Sequence, residues 1–381
     1  MVRLLGVATY QLEIMWDGVS WTDETDHLKE FAIERGMDEQ LTRHLAGTLE
    51  LVLAETTGRF NPVNASSPLQ PYITYPLRRV RLSVTYASTV YWLFTGYTTR
   101  HESDPGYGAW EARISCMDAF VMLNETKPQE ATGDTTGSAI GDILFELGLY
   151  TVSGDVSLDD GDDIDYAADG EQTALDVIAD LLLTERGWFF VAADGVLTYR
   201  DRYAPNRSPY TSSQGAIAGA MQAIAPAVDY AQIRNRATVT RTGGTPQTAT
   251  GTSPALPAGM YRDYPAIESD YLATDTQALA LARHIVLKGQ NPVAPVRYLD
   301  LSNGSADGFA QLLARELGDR VTVTEALGGT SGDYHIRRIT HAVNWSGQIH
   351  RGSWSLEQRD TTTQPFIVGQ SLVGGPDLIT Y

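Results

Sequence analysis

The chain has 381 residues, enough for two or three domains and for a core that needs no covalent staples. Its formal net charge of −19 argues against a sequence-independent nucleic-acid binder and against adhesion to anionic membranes, since both need a lysine and arginine footprint. A single cysteine, Cys116, excludes an internal disulfide framework, and no run of about 18 apolar residues offers a membrane span. The start, MVRLLGVATYQLEI, lacks a signal peptide's apolar core and cleavage site, so folding in a cytoplasm is expected.

In chain order, YQLEIMWDG reads as a strand with Leu12, Ile14 and Trp16 on one face. In the polar segment that follows, Asp23, Asp26, His27 and Glu30 fit one helix face. No second cluster completes a metal-ligand set, so a solvated helix start or loop is expected there. LAGTLELVLAETTGRF then places Leu49, Leu51 and Leu53 on one parity. A proline-rich crossing, NPVNASSPLQPYITYP, leads to three more strand candidates: LRRVRLSVTY, TVYWLFTGYTT and AWEARISCMD. Val80, Leu82 and Val84 share a parity in the first of these, as half-buried strands require. The whole stretch looks built as a wall.

Composition changes near Lys127. From Pro128 to Glu185 there is no Lys, Arg or His, while carboxylates accumulate. SAIGDILFELG fits a short helix with Ile140, Ile143, Leu144 and Leu147 on one face and Gly148 as its stop. TALDVIADLLLTERG fits a second, capped by Thr173 and ended at Gly187. WFFVAADGVLTYR reads as a hairpin turning at Asp194-Gly195. Asp165, Asp169, Gly170 and Asp176 match positions one, five, six and twelve of an EF-hand loop. Position three is Ala167, which offers no oxygen, so a solvent-facing acidic loop is expected instead.

From Tyr203 to Ile267 the chain is loop-rich, with one strand candidate in AQIRNRATVTRT. The tract GGTPQTATGTSPALPAG after it reads as a mobile surface loop. DTQALALARHIVLKG is a helix capped by Thr274 or Asp275 and stopped at Gly289, and SADGFAQLLARELG is another. Three antiparallel strand candidates follow, DRVTVTEA, GDYHIRRITHAVNW and HRGSWSLEQRD, and Thr361 to Tyr381 reads as an extended tail. Two parts of the chain rhyme. Arg79-Val80, Phe94 to Tyr97 and Trp110 run in the same order as Arg320-Val321, Ile336 to Thr340 and Trp354. Val80 to Trp110 spans 30 positions and Val321 to Trp354 spans 33, which suggests two copies of one β unit.

Catalytic patterns are missing: there is no GxSxG elbow, Walker loop, HExxH or paired-cysteine zinc site. Ser138 in GSAIG stands one position too early for an elbow and opens a helix. Cys116 sits inside a strand candidate and reads as a small buried hydrophobe. His335 and His341, six apart on one strand, lie about 20 Å apart and cannot share a metal. A non-enzymatic chain without cofactor or metal is expected.

A series of short motifs runs through the chain in a fixed order. A Trp-Thr-Asp element begins at Trp21, and a strand ending in Arg-Gly is matched at Arg35 and Gly36. An Ala-Gly-Thr strand follows at Gly47, then a Gly-Arg-Phe-x-Pro turn at Gly58, Arg59, Phe60 and Pro62. An Arg-Val strand is matched at Arg79 and Val80, and a Phe-x-Gly-Tyr strand at Phe94, Gly96 and Tyr97. The later Asp-Gly hairpin at Asp194 and Gly195 and the Gly-Asp-Arg-Val strand at Gly318, Asp319, Arg320 and Val321 complete the series. In content and order these segments resemble the baseplate hub, or tail-tip, proteins of tailed bacteriophages, often called minor tail proteins.

The resemblance implies a β-rich α+β fold with two tail-tube-like antiparallel β-barrel or sandwich domains. These would occupy 1–127 and 271–365, with an intervening α+β domain at 128–270 and a tail at 366–381. It also implies a homotrimer whose six β domains form a pseudo-sixfold ring at the virion tail tip. Expected partners are the distal tail or tail tube protein, the tape-measure protein, and further tail-tip, fibre or receptor-binding proteins. DNA would pass through without being specifically bound, and the net charge suggests an acidic channel. No lytic, fibre or receptor-binding domain is recognisable before Tyr381. The alternatives are the hub of a related contractile injection or secretion device and a carbohydrate-binding β-sandwich with a solvent-facing aromatic platform.

Overall fold

The structure is a computed structural model that describes residues 3–4, 8–37, 44–55, 57–104, 111–219, 223–226, 233–291, 296–325, 329–344 and 349–359. The first part comprises β1 (Arg3–Leu4), β2 (Ala8–Met15), β3 (Thr22–Asp23), β4 (Leu28–Met37), β5 (His44–Ala54), β6 (Arg79–Tyr86), β7 (Thr89–Asp104) and β8 (Glu111–Met117). Then come α1 (Phe120–Glu125), β9 (Thr132–Thr135), α2 (Thr136–Glu146), β10 (Val156–Leu158), β11 (Asp163–Ala167), α3 (Ala174–Glu185), β12 (Trp188–Val191) and β13 (Leu197–Arg200). The chain continues through β14 (Gly215–Ala218), β15 (Ala223–Pro226), β16 (Arg236–Arg241), β17 (Gln247–Thr250), β18 (Ile267–Ser269) and α4 (Asp275–Gly289). It ends in β19 (Val296–Ser302), α5 (Ala306–Ala314), β20 (Arg320–Glu325), β21 (Thr330–Asn344) and β22 (Ile349–Gln358). Trp110 and the tail from Thr361 lie outside the described residues.

The alternation read in the strands holds. Tyr10, Leu12 and Ile14 in β2, Leu49, Leu51 and Leu53 in β5, and Val80, Leu82 and Val84 in β6 are each 0–1% exposed. This is the pattern of a sheet packed on one face only. The segment expected as a helix start or loop is different. Only Thr25–His27 makes a helical turn, and Leu28 opens β4, whose Phe31, Ile33 and Arg35 point inward between two neighbouring strands. The tract read as a mobile loop supplies β17, paired with β16 from Arg236↔Thr250 to Val239↔Gln247.

Fourteen strands form one sheet in the order β1-β2-β6-β7-β8-β5-β4-β21-β22-β19-β15, with β3 on β2, β20 on β21 and β14 on β20. The internal repeat is explicit in this order. β6-β7-β8 and β20-β21-β22 are both meanders. In each, the preceding strand returns to the outer edge, β5 onto β8 and β19 onto β22, and a further strand follows, β4 or β15. Arg79 pairs with Tyr97 as Arg320 pairs with His335, so that part of the rhyme is one of true counterparts. The second and third anchors are not: Phe94 to Tyr97 correspond to Gly332 to His335 rather than to Ile336 to Thr340. Ile114, opposite His101, is the counterpart of Trp354, opposite Ile339.

No barrel closes among the described residues, where the sheet is open, with β1 and β15 at its ends. Closing the first unit on itself would bring β4 to the free edge of β7, but β4 is paired instead with β21, from Glu30↔Asn344 to Gly36↔Arg338. Helix α5 and the side chains of Trp188, Phe190 and Ile217 cover the inner face in one core shared by both units. A second core gathers α1, α2, α3 and the β12–β13 hairpin around Phe120, Ile143, Ile178 and Phe189, and a third packs α4 on β16–β18. Thr135 and Ser138 cap α2 reciprocally, which gives Ser138 a structural role. Helix α3 is capped by Thr173 as expected but ends on Arg186 in the left-handed conformation (φ 61°), one residue before Gly187. The Arg186 guanidinium is held there by the Tyr264 hydroxyl at 3.1 Å.

Several histidines are locked inside. His335 Nδ1 lies 3.0 Å from the Gly318 carbonyl, His341 Nδ1 lies 3.0 Å from His350 Nε2, and the Tyr10 hydroxyl is 2.7 Å from His350 Nδ1. Burial drives His101 and His335 down to about 4 and His350 to about 3. Unfolding restores an ordinary imidazole near 6.5. Each therefore adds stability that is whole above that value and is lost as the pH falls toward the folded-state value. The loss approaches about 1.4 kcal/mol per pH unit per histidine. Denaturant midpoints should fall steeply between about pH 6.5 and 4, and His335→Gln should flatten the limb by about one proton. An unchanged slope would contradict this burial.

Candidate assembly surface

The motif residues fall into two places. At the first, the crossing after β5 folds around two buried acids. Arg59 donates to Glu24 through Nε (3.0 Å) and Nη2 (2.6 Å), and the Trp16 indole donates to the same fully buried carboxylate at 2.9 Å. The Glu55 carboxylate accepts the backbone N–H groups of Thr57 (2.8 Å), Gly58 (2.6 Å), Arg59 (3.0 Å) and Phe60. Burial works against its charge, but these donors together outweigh it, and Glu55 titrates below the ordinary carboxylate value. Phe60 packs edge-on against His27 at 5.1 Å and tilted against Trp16 at 6.4 Å. Pro62 is half-buried at the following turn, and Val63, Tyr72 and Tyr75 stand exposed nearby. Trp21 lies apart from this group. It takes the Arg81 guanidinium 4.2 Å above its ring, and the same guanidinium lies 5.3 Å from the centre of the Trp92 ring.

The second place is the junction of the two β units with the inserted hairpin. Arg35 Nη1 donates to Glu316 Oε1 at 2.7 Å and to the Val191 carbonyl at 3.4 Å. Glu316 Oε2 accepts the Ala193 N–H at 2.8 Å, and Thr95 donates to the Ala193 carbonyl at 3.0 Å. Asp194 and Gly195 form the tip of this hairpin, Gly195 at φ 97° and lying against Thr95. The Gly47 N–H donates to Asp118 at 2.5 Å and the Phe120 N–H to the same carboxylate at 3.0 Å. Burial lifts Asp118 to about 7 against these donors and Arg35. Gly36 sits where a Cβ would be 2.8 Å from the Arg337 carbonyl, and one on Gly96 would strike the Met117 carbonyl. Val80, Phe94 and Val321 belong to the shared core. Arg79, Gly96 and Tyr97 line a cleft of about 230 Å³ with the hairpin tip. Gly318 (φ 84°) lies against the Trp188 ring, Asp319 accepts the Glu316 N–H at 3.1 Å, and Arg320 pairs with Asp333 and with the Tyr210 and Thr211 carbonyls.

These arrangements hold surfaces together; none poises a reacting group. Cys116 is buried and its thiol is pushed well up by that burial and by Glu50. Among the described residues no group of His, Cys, Asp or Glu could hold a metal ion. Asp169 accepts the Glu171 N–H at 2.8 Å, and Asp176 accepts from the Thr173 hydroxyl at 2.7 Å at the start of α3.

Sequence reading did not anticipate the other face of the sheet. Glu30, Ala32, Glu50, Ala342, Asn344 and Arg351 are exposed there, around a shallow concavity spanning the β4–β21 joint. The signal was present as the opposite parity of the same strands. Its charges are mixed and often paired, as in Lys29–Glu111, Arg338–Glu34 and Arg81–Glu13. The net charge lies elsewhere. Fifteen carboxylates and no basic side chain fall between Pro128 and Glu185, so all but four of the nineteen net negative charges belong to that stretch.

Gly36→Ala should destabilise the protein by about 1–3 kcal/mol through overpacking at the joint. Gly154→Ala, with open space around it, should stay within about 0.5 kcal/mol. Arg59→Leu leaves the Glu24 carboxylate buried without its cation and should cost about 3–5 kcal/mol. Chemical denaturation of the three variants checks all three values.

No family model matches the sequence, and no curated protein does. Solved structures do. The 43 kDa tail protein of prophage MuSo2 from Shewanella oneidensis matches with a TM-score of 0.60 at 14% identity, over 92% of this chain and 96% of that one. A tail protein from Neisseria meningitidis matches at 0.59 with 12% identity over 92% and 97%. The prophage tail protein gp18 of Listeria monocytogenes matches at 0.53 with 13% identity over 92% and 95%. Along nearly its whole length, the chain has the fold of these tail proteins.

Proposed function

We propose that the chain is a structural virion protein, a homotrimeric baseplate hub that continues the tail tube at its tip and lines part of the DNA-ejection channel. One observation carries the reading: two copies of one β unit are fused edge to edge in a single chain. Three chains then supply six units, which suits a pseudo-sixfold ring. The likeness to solved tail proteins over 92% of the chain supports it. The two tube-like domains are taken as 1–127 and 271–365, the second completed by β14 and β15 from within 128–270, and the motif residues frame the domains rather than react. The uncovered sheet face serves as the channel wall.

Duplex DNA carries one charge per roughly 1.7 Å. A wall of paired charges and small side chains gives it no cationic track on which to stall. This replaces the acidic channel expected from net charge alone, because the excess carboxylates sit in the insertion. Distal tail or tube proteins, the tape-measure protein and further tip components are the partners of such a ring. A hub of a contractile injection device would share this architecture and differ in its neighbours. A carbohydrate platform is disfavoured, because the Arg81 guanidinium already lies over both the Trp21 and Trp92 rings.

Light-scattering mass with negative-stain averaging tests the reading. The expected result is a mass near three times 41.6 kDa and rings of threefold symmetry. A monomer that also forms no ring when mixed with tube and distal tail proteins would remove it.

A further inference from the structure

The filled joint between the two units is a template for an empty one. One edge of β21 is divided: Thr330 to His335 pairs with β20, and Arg338 to Asn344 pairs with β4. β7 is built alike. Thr89 to Tyr97 pairs with β6, and Thr98 exchanges backbone hydrogen bonds with Leu77 and Arg78 at 2.7 and 2.8 Å. Both strands carry a register shift at the same point, between Thr98 and Arg100 and between Ile336 and Arg338. Beyond that point the β7 edge that corresponds to the seat of β4 has no partner strand among the described residues. At the opposite end of the sheet, β15 holds the position of β4. Phe31 pairs with Leu51, and Ile224 pairs with Leu299. No described strand lies outside β15.

We infer that β15 of one copy adds, antiparallel, to the β7 edge beyond Thr98 of a second copy, as β4 adds to β21 within the chain. This rests on the ring reading above and specifies where the ring closes. The occupant is a second copy because the two half-joints are complementary and stand at opposite ends of one molecule. Such heterologous contacts either close into a ring or run on as a filament. In the filled joint Phe31 and Ile33 meet Val343 and His341. At the half-joints Ile224 is packed against the shared core, and the half-buried His101 lies 5.5 Å from the Trp16 ring. Arg100 and Glu102 point to the exposed side. An unpaired edge of this kind invites another strand.

A cysteine scan of the full chain tests the joint. Glu102→Cys is combined in turn with Ala223→Cys, Ala225→Cys and Pro226→Cys, which covers the registers permitted by the irregularity between Ile224 and Pro226. Arg100→Cys, also exposed, replaces Glu102→Cys if that variant fails to fold. Buried Cys116 stays out of the exchange, and single-cysteine variants are the controls. Disulfides form only when the two Cα atoms come within about 7 Å. Mild oxidation should link one register in high yield and give dimers and trimers with nothing larger. A threefold assembly in which no register links would overturn the joint and leave the ring standing. Failure to associate, alone or with tube and distal tail proteins, would overturn both. A ladder running past three copies would keep the joint and exclude closure at three.

Discussion

The backbone pairing of β4 with β21 is the constraint on which the rest of the molecule depends. A buried strand must satisfy both rows of its N–H and C=O groups. β4 does so with β5 on one side and, across more than three hundred positions of sequence, with β21 on the other. That choice prevents the first unit from closing on itself and makes two similar units into one sheet. It also sets what β4 can carry. Gly36 lets the backbones of β4 and β21 approach, and Arg35 reaches from the same strand to Glu316 and Val191. The joint therefore holds the inserted hairpin as well as the second unit.

The insertion has a different character from the sheet. Its helices pack on their own core around Phe120 and Ile143, and its first part, from Pro128 to Glu185, carries fifteen carboxylates without a basic side chain. Exposed charges separated by more than about 8 Å are largely screened at physiological salt. A stretch rich in carboxylates and free of basic groups is therefore tolerated at the periphery of a fold, while the sheet keeps its charges paired.

Local order was legible where one residue type repeats with one period. Leu49, Leu51 and Leu53 announce a strand, and Thr173 and Thr274 announce helix starts, because alternation and capping act over a few residues. β4 was harder to read: Lys29, Glu30, Glu34 and Arg35 interrupt its apolar pattern, and Arg35 points inward. β17 has a single inward residue, Ala249, and so left almost no period to detect. The rhyme of Arg79-Val80 with Arg320-Val321 was sound because register is preserved there, whereas Trp110 was matched by residue type alone. The motif glycines were visible as positions but not as reasons, since a close approach such as Gly36 to Arg337 is non-local. Glu316 and Asp118, central to the junction, gave no signal among 47 acidic residues.

The crossing between β5 and β6 is irregular in backbone yet fastened at many points. Glu55 gathers four N–H groups, Arg59 grips Glu24, and Ser67 and Gln70 tie the later turns back to earlier carbonyls. Val63, Tyr72 and Tyr75 are thereby presented from a loop whose conformational entropy was surrendered on folding. A protein surface docking there would meet a preorganised template, spared the ordering cost that usually weakens loop-mediated recognition.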